Sequence, residues 1–185
     1  MVGVDIDPTL VRKAEHLHSL KASRLRPSSE PSERLVDYYP MSAVLRHGIL
    51  PQPRQQHPHW PSVKFAAADW VVSNDPVLNG PYDVILALSV IKWIHLEHRD
   101  EGLLNFFHKC CTELASGGYL VLEPQGWDSY QKAVRPNAAP HFAKNLESLT
   151  YRPETSFTKL LQDEGLNLCA TSDQLRRPIY IYRKA

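Results

Sequence analysis

Two apolar runs of strand length, YDVILAL at 82–88 and YLVL at 119–122, bracket a helical pattern and constrain the fold more than any other feature of the chain. A near-continuous run without polar alternation is what a parallel strand buried on both faces requires. Between the runs, Leu103, Leu104, Phe106, Phe107, Cys110 and Leu114 recur at helical spacing, and Gly117-Gly118 predicts the helix stop. Strand, helix and strand in that order make a βαβ unit, and hence a parallel sheet. The alternation extends in both directions. Val2–Ile6 reads as a strand, followed by a helix opened by Pro8 with Leu10, Val11, Ala14, Leu17 and Leu20 in phase. Residues 63–69, VKFAAAD, read as a short strand ending in acid. Residues 154–164 read as a helix with Phe157, Leu160 and Leu161 on one face, and 166–171 and 178–182 as two final strands paired antiparallel around 174–177. Six strands are expected, with no internal repeat.

At 185 residues the chain has the length of one domain with a full core. The stretch at about 24–61 departs from that pattern. It is rich in Pro, Ser, Gln and His, and is expected to be a long, partly disordered insertion. Its RHGILPQPRQQHPHW segment reads as a solvated loop, with RNA contact as the alternative. The net charge of +1 does not exclude a nucleic acid, because a local basic surface matters more than the sum. No apolar run approaches the roughly 18–20 residues that span a bilayer, so no membrane association is expected. The N-terminal residues lack the pattern of a secretory leader. Cys110, Cys111 and Cys169 form neither a CxxC pair nor a zinc pattern, despite nine histidines. Buried inert thiols in a reducing compartment, cytoplasm or nucleus, are the reading, with no metal.

Chemistry is expected at the carboxyl ends of the strands, where doubly wound sheets bind ligands. Asp5 closes the first strand, where an acid accepts the hydroxyls of a ribose, and Ile6 beside it would cover one side of an adenine. Asp69 closes the next strand, positioned to accept an adenine amino group, with Trp70 stacking nearby. An acid after a strand is also a common helix cap, the role that Asp7 before Pro8 fits better. Lys92, Trp93 and His95 follow the 82–88 strand directly. A lysine there would hold a phosphate as a point charge, and a tryptophan would stack on a base or ribose. A surface lysine beside a core tryptophan is the structural alternative. Glu123, Gln125, Trp127 and Tyr130 follow the 119–122 strand and repeat the combination of hydrogen-bonding and stacking groups.

The segment DVILALSVIKWIHLEHRDEGLLNFFHKCCTELASGGYLVLEPQGWDSYQK resembles the methylphosphate-capping enzyme family, also called the bicoid-interacting-protein type. The marks of that family are Leu-Ser-x-x-Lys-Trp-x-His-Leu, present at 88–96, and Leu-Glu-Pro-Gln-x-Trp, present at 122–127. The ending RRPIYIYRKA resembles its last strand, and the likeness covers 2–20 and 63–185. The resemblance implies an α/β, class I, Rossmann-like S-adenosylmethionine-dependent methyltransferase. The sheet would be mostly parallel with an antiparallel last strand, in a single domain over 1–185. It also implies methyl transfer to the 5′-terminal phosphate of a small non-coding RNA. Asp5, Ile6, Asp69, Trp70 and Leu86 would match the cofactor contacts. Asp69 and Trp70 stand where many relatives carry Asn and Tyr, which keeps an acceptor and an aromatic. Lys92, Trp93, Glu123 and Gln125 would be catalytic. Lys92, Trp93, His95, Trp127 and Tyr130 would line the RNA-end pocket.

Relative to that family, a first strand and a glycine loop are missing before Met1, so a longer parent protein is expected. Losing the loop removes backbone that closely approaches the methionine part of the cofactor. The alternative function is therefore a catalytically inactive RNA-binding or ribonucleoprotein assembly module of the same fold. A methyltransferase for a small acid is a third reading. RNA and ribonucleoprotein subunits are the expected partners, and the nucleus is slightly favoured over the cytoplasm.

Overall fold

The protein is described by a computed structural model covering residues 1–24, 39–49, 61–134, 139–172, 174–175 and 177–185. The stretch expected to be one domain divides into two compact units, Met1–Ser73 and Asn74–Ala185.

The first unit is built on strands β1 (Val2–Asp5) and β2 (Lys64–Ala67), which pair in parallel with Val2 opposite Lys64 and Asp5 opposite Ala67. Helix α1 (Pro8–Ala22) follows β1 at once. Asp7 caps it, its carboxylate accepting the Thr9 N–H at 2.7 Å, and Pro8 starts the first turn with its φ already helical. That hydrogen bond from the Thr9 backbone leads the effects holding the Asp7 carboxyl below its usual range. Val11 and Ala22 are the buried residues of α1, whereas Leu10 and Leu17 lie exposed. The apolar repeat therefore marks the helix but not its buried face. Within the expected insertion, helix α2 (Met41–His47) is formed, and Tyr39 is tied to Arg24 by Tyr39 N–H to Arg24 O (3.2 Å) and Arg24 Nε to Tyr39 O (2.9 Å). Most of the RHGILPQPRQQHPHW segment lies outside the described residues.

The second unit holds a four-stranded sheet in the order β3 (Tyr82–Leu88), β4 (Leu114–Glu123), β6 (Ile179–Lys184), β5 (Leu166–Ser172). β3 and β4 are parallel, joined by helix α3 (Ile91–Glu113), and β6 runs antiparallel to both β4 and β5. Leu103, Phe106, Phe107 and Cys110 of α3 pack into the core with Leu120, Leu122, Phe157, Leu161, Leu166 and Tyr182. Each such side chain contributes about 1.5–3 kcal/mol of burial. Three short helices, α4 (Trp127–Ala133), α5 (Pro140–Ser148) and α6 (Phe157–Asp163), complete the unit. The six strands stand where the apolar runs placed them.

Four expectations need correction. The 103–114 helix is longer than the pattern indicated: α3 begins at Ile91 and bends at Arg99, whose φ of 59° is left-handed. The glycine pair does not stop it. α3 ends at Glu113, and Gly117 and Gly118 lie inside β4, where the register against β3 shifts between Tyr82 and Val84. Gly117 has φ +76°, and a Cβ on Gly118 would stand 2.9 Å from the Ala115 carbonyl oxygen, so glycine is required at the bulge itself. Finally, β3 is not buried on both faces. It ends the strand order, and Val84, Leu86 and Leu88 are exposed on the side away from Ala87. The helix 154–164 is also shorter than expected, starting at Phe157.

Candidate active site

The site of the second unit forms where β3 and β4 end side by side, Leu88 opposite Glu123. Ser89 turns the chain out of β3 with φ 58° and is tied to β4 by its N–H to the Glu123 carbonyl (3.3 Å) and its hydroxyl to the Glu123 carboxylate (3.0 Å). Gln125, 3% exposed, locks the two strand ends together. Its amide donates to the Ser89 carbonyl at 2.5 Å, and its oxygen accepts the Lys92 backbone N–H at 3.3 Å. A buried amide needs both kinds of partner, and both are present.

Lys92 then enters the site from the first turn of α3 and is 8% exposed. Its Nζ donates to the Ser129 hydroxyl at 3.0 Å and the Ser129 carbonyl at 3.5 Å, and lies 4.2 Å from the centroid of the Trp93 ring. No carboxylate within ion-pair distance of Nζ is found among the described residues. Burial, and then the positive charge of Arg177, hold the Lys92 ammonium below its ordinary range, with Asp128 opposing. Trp93 leaves nearly half its surface open, and the Trp127 ring stacks on Tyr130 (5.0 Å, 24°) with the Arg152 guanidinium 3.4 Å from its centroid. Glu154 fixes the start of α4 by accepting the Trp127 N–H at 2.7 Å.

His95 and Tyr130 have no exposed surface at all, so neither offers a nucleic acid anything to touch. They form a buried chain of hydrogen bonds instead. The Asp100 carboxylate only accepts, so His95 donates from Nε2 at 2.8 Å and accepts from the Tyr130 hydroxyl at Nδ1, 3.3 Å away. Burial lowers the His95 basicity against the raising effect of Asp100, which keeps the neutral ring this pattern requires. Asp100 also accepts from the Thr150 N–H (2.8 Å) and hydroxyl (2.5 Å). Burial alone would raise its carboxyl. The bonds from Thr150, His95 and the Tyr151 backbone together outweigh that and hold it low. The break at Arg99 is what brings Asp100 back to His95 on the preceding turn.

In the first unit, Asp5 and Asp69 stand at the carboxyl ends of two adjacent parallel strands, β1 and β2. Each commits one carboxylate oxygen to a turn, Asp5 to the Asp7 N–H (2.8 Å) and Asp69 to the Val71 N–H (3.0 Å). Two acceptor groups on neighbouring strand ends suit the hydroxyls and amino group of an adenosine. Ile6, 64% exposed, and the half-buried Trp70 sit beside them, and Leu86 lies on the exposed side of β3 in the second unit. Sequence reasoning missed Ser89, Asp100, Ser129, Arg152, Glu154 and Arg177. Of these, Ser89 lies inside the first family mark, Asp100 and Ser129 inside the longer segment that carries the resemblance, and Arg177 in RRPIYIYRKA, but none was singled out as a site residue.

Residues 82–184, more than half of the chain, match the family model for Bicoid-interacting protein 3 (Bin3). The chain belongs to the Bicoid-interacting protein 3 family. It is 30% identical to the 7SK snRNA methylphosphate capping enzyme of Mus musculus, over 100% of this chain and 32% of that protein. It is 29% identical to the U6 snRNA methylphosphate capping enzyme Amus of Drosophila melanogaster, over 100% of this chain and 55% of that protein. The chain thus spans about a third to about half of the length of these two curated relatives. Among solved structures, the N-methyltransferase NodS from Bradyrhizobium japonicum WM9 matches with a TM-score of 0.51 at 12% identity, covering 99% of this chain and 72% of that one. The fold is that of class I S-adenosylmethionine-dependent methyltransferases. Both family marks fall on the site: 88–96 carries Ser89, Lys92 and Trp93, and 122–127 carries Glu123, Gln125 and Trp127. Among the described residues, no helix is long and apolar enough to cross a membrane.

Proposed function

We propose that this Bin3-family chain carries the methyl-transfer site of an S-adenosylmethionine-dependent RNA 5′-phosphate O-methyltransferase acting on a small non-coding RNA. One observation carries the reading. Lys92 is a nearly buried residue whose ammonium meets, among the described residues, only the neutral oxygens of Ser129 and an indole face. A cation held out of water without a counter-charge is costly, and an arriving phosphate supplies the missing charge with charge-assisted hydrogen bonds. The names of the two relatives, both methylphosphate capping enzymes for an snRNA, support the same substrate class.

In this reading Lys92 neutralises the terminal phosphate and Trp93 offers the flat surface on which the first nucleotide stacks, while Trp127, its ring already held by Tyr130 and Arg152, frames the RNA-end pocket. Gln125 fixes the backbone from which Lys92 projects. Glu123 braces the strand ends through Ser89. His95 and Tyr130 act from behind, setting the plane of Trp127 through its stack on Tyr130. Asp5 and Asp69 would hold the ribose and adenine of the cofactor, with Ile6 and Trp70 as apolar cover. When bound, S-adenosylmethionine supplies a methyl group on a sulfonium. A phosphate oxygen is already anionic at neutral pH and needs no base, so orientation and charge are what the chain's own residues contribute. Ribonucleoprotein subunits as further partners, and a nuclear location, follow from the same reading, supported by the snRNA named for both relatives.

The deciding experiment supplies labelled cofactor and one RNA in two forms, 5′-monophosphate and 5′-hydroxyl. Label on the terminal phosphate of the first form alone is the expected result. Equal labelling of both forms would refute a phosphate acceptor. RNA binding with neither labelling nor S-adenosylhomocysteine binding would instead favour the assembly-module alternative.

A further inference from the structure

The topology delivers one more cation to the same place. Because β6 runs antiparallel to β4, with Leu122 opposite Tyr180, the residues entering β6 lie beside the carboxyl end of β4. Arg177 stands three residues before Tyr180, and its Nη1 reaches across to the Ser89 hydroxyl (2.7 Å) and the Glu123 carboxylate (3.3 Å). With the Ser89–Glu123 bond, these contacts close a triangle that holds the guanidinium by one corner. A guanidinium carries five donors in a flat fork, and a structural ion pair commonly uses two of its nitrogens on one carboxylate. Here Nη1 alone is engaged. Nε and Nη2 meet no partner among the described residues, and the side chain is about half exposed.

Arg177 is also joined to Lys92 by a continuous path. Arg177 bonds the Ser89 hydroxyl, the Ser89 carbonyl accepts from Gln125, and Gln125 accepts the Lys92 N–H. The two positive charges are close enough to repel, which is part of what depresses the Lys92 ammonium. Two cations are gathered at one strand mouth, where Glu123 meets one corner of the Arg177 guanidinium and no carboxylate stands within ion-pair distance of the Lys92 ammonium among the described residues. A phosphate monoester, which carries up to two negative charges and offers three oxygens, is the ligand class that satisfies both the point charge of Lys92 and the open fork of Arg177.

We propose that Arg177 is a second phosphate-binding side chain beside Lys92, reading the RNA terminus through the guanidinium edge that Ser89 and Glu123 leave open, with Glu123 as its positioning residue. This inference rests on the phosphate-acceptor reading above. Its test is the affinity ratio between a fluorescent RNA bearing a 5′-monophosphate and the same RNA bearing a 5′-hydroxyl, taken by anisotropy at one fixed salt concentration. Wild type is expected to prefer the phosphate. Arg177→Ala should reduce that preference about tenfold, the size of one charged contact at about 1.4 kcal/mol. It should leave the affinity for the hydroxyl form within about twofold, on the premise that only the terminal contact is lost. Arg177→Lys should restore only part of the preference, because a point charge replaces the fork. Glu123→Gln should lower it by less than Arg177→Ala. Full preference retained by Arg177→Ala, or equal weakening of both RNAs, would overturn the proposal while leaving Lys92 as the phosphate group. A wild-type chain without preference would overturn the phosphate reading itself, and Arg177 with it.

Discussion

Replacing Lys92 by Met separates a functional cation from a structural one. Met keeps the length and most of the apolar stem, has similar helix propensity, and removes the charge alone. The loss on the folded side is two hydrogen bonds to Ser129, at 3.0 and 3.5 Å, and the contact with the Trp93 face. The gain is relief from holding the charge of a residue only 8% exposed with no carboxylate within ion-pair distance among the described residues. A charged hydrogen bond contributes about 1.5–3 kcal/mol and burial of the charge opposes it by a comparable amount, so the net change should fall within about 1 kcal/mol. For a chain of this size that moves Tm by no more than about 2–4 °C. The effect on ligand is not offset in the same way. Losing a charge-assisted contact of about 1.5–3 kcal/mol lowers the preference for a 5′-phosphate by about ten- to a hundredfold. Melting curves and the two-RNA binding ratio measure both quantities on one sample. A Lys92→Met protein that loses several kcal/mol of stability while keeping its phosphate preference would refute the reasoning. It would show that Lys92 is a tie between α3 and α4 and nothing more.

Two further outcomes are expected. His95 is kept neutral by burial, so its proton affinity in the folded chain lies below that of the unfolded one, and the unfolded state takes up a proton first as pH falls. Stability should therefore decline as pH drops below about 6.5, the unperturbed histidine value. His95→Gln should show a shallower decline in urea midpoint between pH 7.5 and pH 5.5, and equal slopes would contradict the buried neutral assignment. Gly102→Ala places a Cβ 1.9 Å from the His98 Cβ, because the break at Arg99 sets residue 102 directly against residue 98. That overpacking should lower stability by about 1–3 kcal/mol in urea unfolding, and an unchanged midpoint would mean the break relaxes freely.

The sheet was legible because apolar runs of four to seven residues, bounded by polar and turn residues, have few homes other than buried strands. They placed the strands, and the strand ends then placed Lys92, Gln125 and Asp5. What the pattern could not carry was facing. An amphipathic repeat gave α3 a buried stripe, but the left-handed turn at Arg99 divides that helix. His95 belongs to the segment before the break and meets Asp100 after it, so a position that the family resemblance assigned to the RNA-end pocket is 0% exposed. The glycine pair misled for a related reason. A glycine signals an unusual backbone, and Gly117–Gly118 supply one inside β4 rather than at a helix end. Edge position was equally hidden, since an apolar strand reads the same whether one face or two are covered, and β3 has Leu86 64% exposed.

Arg177 marks the limit of local pattern most clearly. Its partners Ser89 and Glu123 lie 88 and 54 positions away along the chain, and no periodicity links them. What brings them together is the direction of one strand. Had β6 run parallel to β4, the residues entering it would open at the opposite edge of the sheet, and the guanidinium would be far from Ser89. The antiparallel last strand has a chemical consequence beyond sheet closure: it returns the chain to the carboxyl ends of β3 and β4. The mouth then has cations from two separate stretches, Lys92 after β3 and Arg177 before β6. Glu123 faces only the second of them, and the first is left with neutral oxygens. That asymmetry gives the two cations different tasks. The unpaired ammonium is the group that gains most from an arriving anion. The braced guanidinium, already fixed in direction, determines how that anion is turned.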